Sequence, residues 1–354
     1  MVILLLAGFA AGCSAEKTQK ETKMKAVNLT PEYFSGVWEY EEENNAPSPR
    51  RMPADLYPKE DGYMKSCSAG IRILLETDSP CLKLDQTFFR RDSKDFTGTT
   101  TLVVDHGKPQ IFNAPEPEHE KGGDSFSFTA ELPADGMMHR VEIWLSHQRR
   151  TIISGLYVAE NANVQPAPQE DEIILFLGDS ITQGFFGQGT DTWANLFALG
   201  RKSGIVNLGV GGGKMPFGDQ TMIVSNAVDR DLTVLAYGVN DCAGGRDPDQ
   251  FREATRETLE ILAAKGPVLL LTPISSTLYE KQKNLTERLN LFRQILREEG
   301  ERFKNVRVID GPSLLPCDDR YFPDGLHPNP EGMRIIAAEL LKQTTDFPAS
   351  VTVR

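Results

Sequence analysis

Two hydrophobic patterns divide the chain. From about residue 34 to residue 160, apolar positions come in short alternating runs: GIRILLETDSPCLKL (70–84), TTTLVVDHGKPQIF (99–112), DSFSFTAEL (124–132) and HRVEIWLS (139–146). Gly, Pro, Asp and Asn separate them, and alternation at every second residue marks strands with one buried face. No window in this half holds a helical period for long. The pattern predicts an all-β, jelly-roll-like sandwich.

Beyond residue 172 the pattern changes. The unbroken apolar runs IILFL (173–177), IVNLG (205–209), LTVLAYG (232–238), PVLLLTP (267–273) and VRVID (306–310) alternate with amphipathic stretches near 191–201, 248–265, 280–300 and 330–343. Strands that are apolar throughout are buried on both faces, so this half should be a three-layer α/β/α domain around a parallel sheet. The segment between the halves, AENANVQPAPQEDE (159–172), is polar, acidic and Pro-rich, the composition of a linker.

The first residues change the picture of where the chain works. MVILLLAGFAAGC is an apolar run ending in small residues, then the sequence turns polar, as in a secretory signal too short to span a bilayer. Its AAGC ending resembles the lipobox of bacterial lipoproteins, which implies an exported chain anchored to a membrane, periplasmic or at the cell surface, through lipid on Cys13. The expected division is a signal peptide over 1–13, a flexible tether over 14–30, the β-sandwich over 31–162, a linker over 163–172 and the α/β/α domain over 173–354. With 38 Lys and Arg against 50 Asp and Glu, the net charge of −12 argues against nucleic acid as a partner. Cys67, Cys81, Cys242 and Cys317 fit no zinc spacing, so no metal is expected. Export permits disulfides, and four cysteines allow three pairings among which the sequence does not choose.

Ligands of open parallel sheets sit beyond the carboxyl ends of the strands, and four polar clusters fall there. In GDSITQG (178–184), Gly178 allows a sharp turn and Ser180 opens the following segment, either as a helix cap or as a nucleophile. In NLGVGGGKM (207–215), a glycine-dense loop can bring backbone N–H groups to an anion. It is not a nucleotide-phosphate loop, because Leu208 and Met215 stand where that motif needs glycine and a hydroxyl. In YGVNDCAGG (237–245), Asn240 can donate hydrogen bonds into a site. In FPDGLHPNPEGM (322–333), Asn329 and Pro330 supply a helix cap and first turn. Asp324 and His327 are left over, and His327 is the one histidine of this half. Together the residues make a hydrolytic set: Ser180 to attack an ester, His327 as general base, Asp324 to orient it. The Ser180 amide, the glycine loop and the Asn240 side chain would face the oxyanion.

These residues carry a family resemblance. The α/β half is similar to the SGNH/GDSL hydrolases: GDSITQG resembles their first block, NLGVGG their second, GVND their third and DGLHPN their last. The resemblance implies a flavodoxin-like sheet, a nucleophile at Ser180, an oxyanion hole of Ser180, Gly212 and Asn240, a catalytic pair Asp324 and His327, and no metal or organic cofactor. MPADLYP (52–58), with Asp55 and Tyr57, resembles the "GxDLY" motif of an N-terminal domain found before some esterases of this type. A jelly roll ahead of such a domain is also similar in layout to carbohydrate esterase family 2. The implied activity is hydrolysis of O-acyl esters, most readily acetyl groups on carbohydrates, with small-molecule or polysaccharide esters as substrates. An acyltransferase using the same serine, and a glycan-binding protein with an idle α/β domain, are the alternatives.

Overall fold

The computed structural model describes residues 23–53, 66–90, 98–115, 122–216 and 220–347. The expected signal peptide, Cys13, the first part of the tether, Asp55 and Tyr57 lie outside the described residues.

In the N-terminal half, antiparallel strands form two sheets that face each other. One runs in the order Met24–Ala26, Arg150–Ala159, Cys81–Arg90, Gly122–Glu131. The other runs Val164–Pro166, Arg72–Thr77, His139–Trp144, Thr99–Val104, Gln110–Asn113. Ile73, Leu75, Val141 and Ile143 from the second sheet meet Leu82, Leu84, Phe128 and Leu156 from the first in one core. Inward residues two apart on one strand are the alternation that the sequence shows.

Two segments expected to be loose are paired instead. Met24–Ala26, within the expected tether, adds a strand to the sheet, with Met24 opposite Ala159. The expected linker also pairs, Val164–Pro166 lying against Arg72–Thr77. Farther along it, Glu170 meets Arg72 and Arg140, each at 2.7 Å. Arg72 is 1% exposed and also pairs with the equally buried Glu142 at 3.1 Å. A buried guanidinium without carboxylates would be costly, so Glu170 is held by a charge that needs it.

The C-terminal half is a five-stranded parallel sheet in the order Gly204–Asn207, Ile173–Gly178, Leu232–Ala236, Val268–Leu271, Val306–Ile309. Numbered along the chain this is 2-1-3-4-5, the flavodoxin-like order. Alternate residues of the strand Ile173–Gly178 feed opposite faces. Ile174 and Phe176 pack under the helices Trp193–Arg201 and Pro330–Gln343. Leu175 and Leu177 pack toward Pro248–Ala263 and Lys283–Gly300. Short helices that the hydrophobic pattern does not announce, among them Gln220–Ala227 and Val239–Ala243, also lie in this half.

The halves share their cores. Val103 and Trp144 of the sandwich belong to the cluster around Ile174 and Phe176, and Met52 belongs to the opposite one. The buried Arg51 donates through Nη1 to the carbonyls of Asn207 (2.8 Å) and Gly209 (2.7 Å), at the root of the glycine loop. No disulfide joins Cys67, Cys81, Cys242 and Cys317.

Candidate active site

The strand Ile173–Gly178 ends in a turn that admits only glycine at its last residue, since a Cβ on Gly178 would lie 2.0 Å from Thr182 Oγ1 and 2.9 Å from the Ala236 carbonyl. Asp179, not Ser180, caps the helix Ser180–Gln183: its Oδ1 accepts the Ile181 amide at 2.9 Å. Ser180 is thereby free of capping. Its Oγ lies 2.8 Å from His327 Nε2, and His327 Nδ1 lies 2.6 Å from Asp324 Oδ2. Asp324 also has a structural duty, which the sequence does not reveal. Its Oδ1 accepts the amides of Leu326 (2.9 Å) and His327 (2.8 Å), shaping the loop that presents the imidazole. Burial disfavours the Asp324 carboxylate, but the His327 amide and ring and the Leu326 amide outweigh it and hold the carboxyl below its ordinary value. As expected from the sequence, Asn329 caps the next helix by accepting the Gly332 amide. The rings of Phe185 and Phe186 stand 4.8 and 5.9 Å from the imidazole.

The glycine loop reaches this site from the neighbouring strand. The Val210 amide donates to the Gly178 carbonyl at 3.0 Å, which places the loop against the end of the strand Ile173–Gly178. Gly212 has φ +74° with open space where a Cβ would be. Asn240 follows the strand Leu232–Ala236 in the helix Val239–Ala243, and one of its amide protons goes to the Gly213 carbonyl at 2.9 Å. A primary amide carries two such protons, so the other remains to donate. Ser180 and Asn240 thus follow the first and third strands of the sheet, the pair between which the strand order reverses, where ligands bind in such folds. Ser180, His327 and Asp324 are directly linked. Gly212 and Asn240 join them through the loop rather than through a bond to Ser180.

Two residues of the site escape sequence reasoning. Gln183, 2% exposed, accepts the Gly211 amide at 2.9 Å through Oε1 and points Nε2 at the His147 carbonyl (3.4 Å) and Cys67 Sγ (3.3 Å) of the sandwich. It braces the glycine loop from the last turn of the helix that begins at Ser180. A glutamine after a Ser-Ile-Thr run carries no signal of this, because its partners lie 28 and 36 residues along the chain in one case each and 116 in the third. The second is Asp179. Burial pushes its carboxyl up to about 7 against the Ile181 amide, with a further push from the Asp241 charge.

Among the described residues, no group of three or more His, Cys, Asp or Glu side chains is placed to hold a metal ion. No described helix is long and apolar enough to cross a membrane.

Residues 176–335 match the model of the GDSL-like Lipase/Acylhydrolase family, so the α/β half carries a GDSL-like lipase/acylhydrolase domain. No curated protein matches the chain significantly. Among solved structures, the salicylyl-acyltransferase SsfX3 from a tetracycline biosynthetic pathway aligns over 94% of this chain and 99% of its own, with a TM-score of 0.76 at 18% identity. A family two carbohydrate esterase from Cellvibrio japonicus aligns over 92% and 98%, with a TM-score of 0.61 at 15% identity. An acetyl xylan esterase from the rumen bacterium Butyrivibrio proteoclasticus aligns over 92% and 98%, with a TM-score of 0.57 at 12% identity. At these identities the likeness is one of fold, and it extends across both halves.

Proposed function

With a GDSL-like lipase/acylhydrolase domain as the premise, we propose that this chain is a serine esterase that removes O-acyl groups, above all acetyl groups, from carbohydrates. The observation that carries the reading is the continuous line from Ser180 Oγ to His327 Nε2 (2.8 Å) and from His327 Nδ1 to Asp324 Oδ2 (2.6 Å). In this mechanism His327 holds its proton on Nδ1, toward Asp324, and accepts the Ser180 proton at Nε2. Ser180 Oγ bonds to the ester carbonyl carbon, and the carbonyl oxygen gathers negative charge. The Ser180 and Gly212 amides and the free Asn240 proton serve that charge. The imidazolium then returns its proton to the leaving alcohol as the C–O bond breaks, leaving an acyl-serine. Water, deprotonated by the same nitrogen, repeats the sequence and frees the acid. Asp324 stays ionised throughout, in keeping with a carboxyl held below its ordinary value.

The carbohydrate and acetyl parts of the reading are supported by the fold shared with an acetyl xylan esterase and a family two carbohydrate esterase. The fold shared with an acyltransferase supports a second use of the same acyl-enzyme, in which an alcohol replaces water. Hydrolysis of an aryl acetate by the wild-type chain, beside a folded Ser180→Ala variant, tests the first reading. Turnover lost in the variant supports it, and equal turnover in both overturns it. Ester product appearing at the expense of acetate when alcohols are added would favour transfer. Export completes the proposal, with lipid attached at Cys13. Cys13→Ala should move the chain from the membrane fraction to the soluble one, and unchanged fractionation would refute the anchor.

A further inference from the structure

A cleft of about 410 Å³ opens between the halves beside the candidate triad. On one side it is lined by Thr99, Asn113 and Gln148 of the sandwich, and on the other by Phe186, Gln188 and Pro330 of the α/β half. Pro330 lies three residues after His327, and the Phe186 ring stands 5.9 Å from the imidazole. The cleft is therefore on the histidine side of the nucleophile. In acyl-enzyme formation the leaving oxygen takes its proton from that histidine, so the alcohol part of an ester extends this way and the acyl part does not.

The lining has a distinct chemistry. None of its side chains carries a fixed charge, although the chain as a whole has a net charge of −12. Its one titratable group, His147, is held neutral by burial, which pushes it down to about 4. Gln148 is 4% exposed. Its Nε2 is directed at His147 Nε2 (3.2 Å) and the Gly184 carbonyl (3.5 Å), but its Oε1 is buried without a partner. A buried acceptor left unsatisfied is costly, and a hydroxyl donor entering the cleft would remove that cost. Asn113 and Thr99 are bonded to each other at 3.1 Å, and Gln188 reaches the same Asn113 oxygen at 3.5 Å, forming a small hydroxyl-and-amide array across the seam. Phe186 reaches the cleft with φ +60°, a conformation a bulky residue rarely adopts without a reason.

We propose that this cleft is the subsite for the alcohol moiety, built for a neutral, hydroxyl-rich ring, with Gln148 Oε1 accepting a substrate hydroxyl, the Asn113 array bonding others and Phe186 offering an apolar face. The inference rests on the esterase reading above and assigns the sandwich a direct part in choosing the substrate. It disfavours anionic sugars, which would find no cation in the lining, and simple alkyl esters, which would leave the Gln148 oxygen unpaired.

The test compares kcat/KM for a mono-O-acetylated methyl glucoside with kcat/KM for an aryl acetate. It uses the full chain and the variants Gln148→Leu and Asn113→Ala. In Gln148→Leu the ratio of glucoside to aryl acetate should fall about tenfold, mostly through KM, the effect of one hydrogen bond. Asn113 is exposed, so Asn113→Ala will fold even if the buried substitution does not, and a smaller fall in the same direction is expected. Ratios unchanged in both variants, with aryl acetate still hydrolysed by the wild-type chain, would overturn the subsite and leave the esterase reading standing. Absence of turnover on both substrates by the wild-type chain would instead defeat the esterase reading on which the subsite depends.

Discussion

Two histidines in this molecule hold an aspartate through Nδ1 at the same distance, 2.6 Å: His327 with Asp324 and His139 with Asp105. They differ at the other nitrogen. His327 Nε2 faces the Ser180 hydroxyl at 2.8 Å, whereas His139 Nε2 faces a second carboxylate, Asp135, at 2.9 Å. A hydroxyl can supply the proton of its hydrogen bond, so His327 can be neutral and accept. Two carboxylates can only accept, so His139 must donate from both nitrogens. Hydrogen bonds to Asp105 and then Asp135 accordingly push His139 up from its ordinary value. One arrangement is suited to moving a proton, and the other clasps two loops at the rim of the sandwich. An aspartate beside a histidine does not distinguish them; the partner of the far nitrogen does.

Breaking the first arrangement should have the largest effect. Ser180→Ala and His327→Ala should each lower kcat on an aryl acetate by about 10⁶, while His139→Gln leaves it within twofold. Comparable losses in all three would erase the distinction. Asp324→Asn should follow, with a loss of about 10²–10⁴, because His327 keeps its serine but loses the acceptor that sets its tautomer. Asp105→Asn should show its effect in thermal stability and not in rate. Asn240→Ala, which removes the proposed oxyanion donor, should cost about 10²–10³ in kcat.

Gln183→Met is expected to lower kcat about tenfold while changing KM less, since it releases the Gly211 amide without touching the imidazole. Equal changes in both constants would make Gln183 a packing residue only.

The smallest effect belongs to the second arrangement and depends on pH. A histidine pushed up on folding stabilises the fold fully below its unfolded value near 6.5, and the gain is lost as pH rises through the folded value. His139→Gln should therefore lower Tm at pH 5.5 and have little effect at pH 9. A Tm difference that grows with pH would reverse the assignment.

Much of this is legible in the sequence. The solid runs IILFL, LTVLAYG and PVLLLTP could only be strands covered on both faces, and Asn329 followed by Pro330 could only start a helix well. The glycine, serine and Asp-x-x-His spacings stand where a parallel sheet places its ligands. What escaped has a common physical cause. Met24–Ala26 and Val164–Pro166 are only three residues long, too short to show a period of their own, and become strands only because Arg150–Ala159 and Arg72–Thr77 present unpaired backbone to them. The grip on Glu170 depends on Arg72, 98 residues away, and the brace on Gly211 depends on a glutamine in another turn. Local pattern records what a residue does for its own element, and these residues serve another one.

Arg51 shows what that means for the handling of such a protein. Its guanidinium leaves the sandwich to hold two carbonyls at the base of the loop that carries Gly212. An α/β half excised at the seam would lose that grip, lose the packing of Val103 and Trp144 around Ile174 and Phe176, and strand the Asn207 and Gly209 carbonyls. A foreign sandwich grafted in its place would need to offer a cation at the same spot. The two halves are thus poor candidates for separation or exchange.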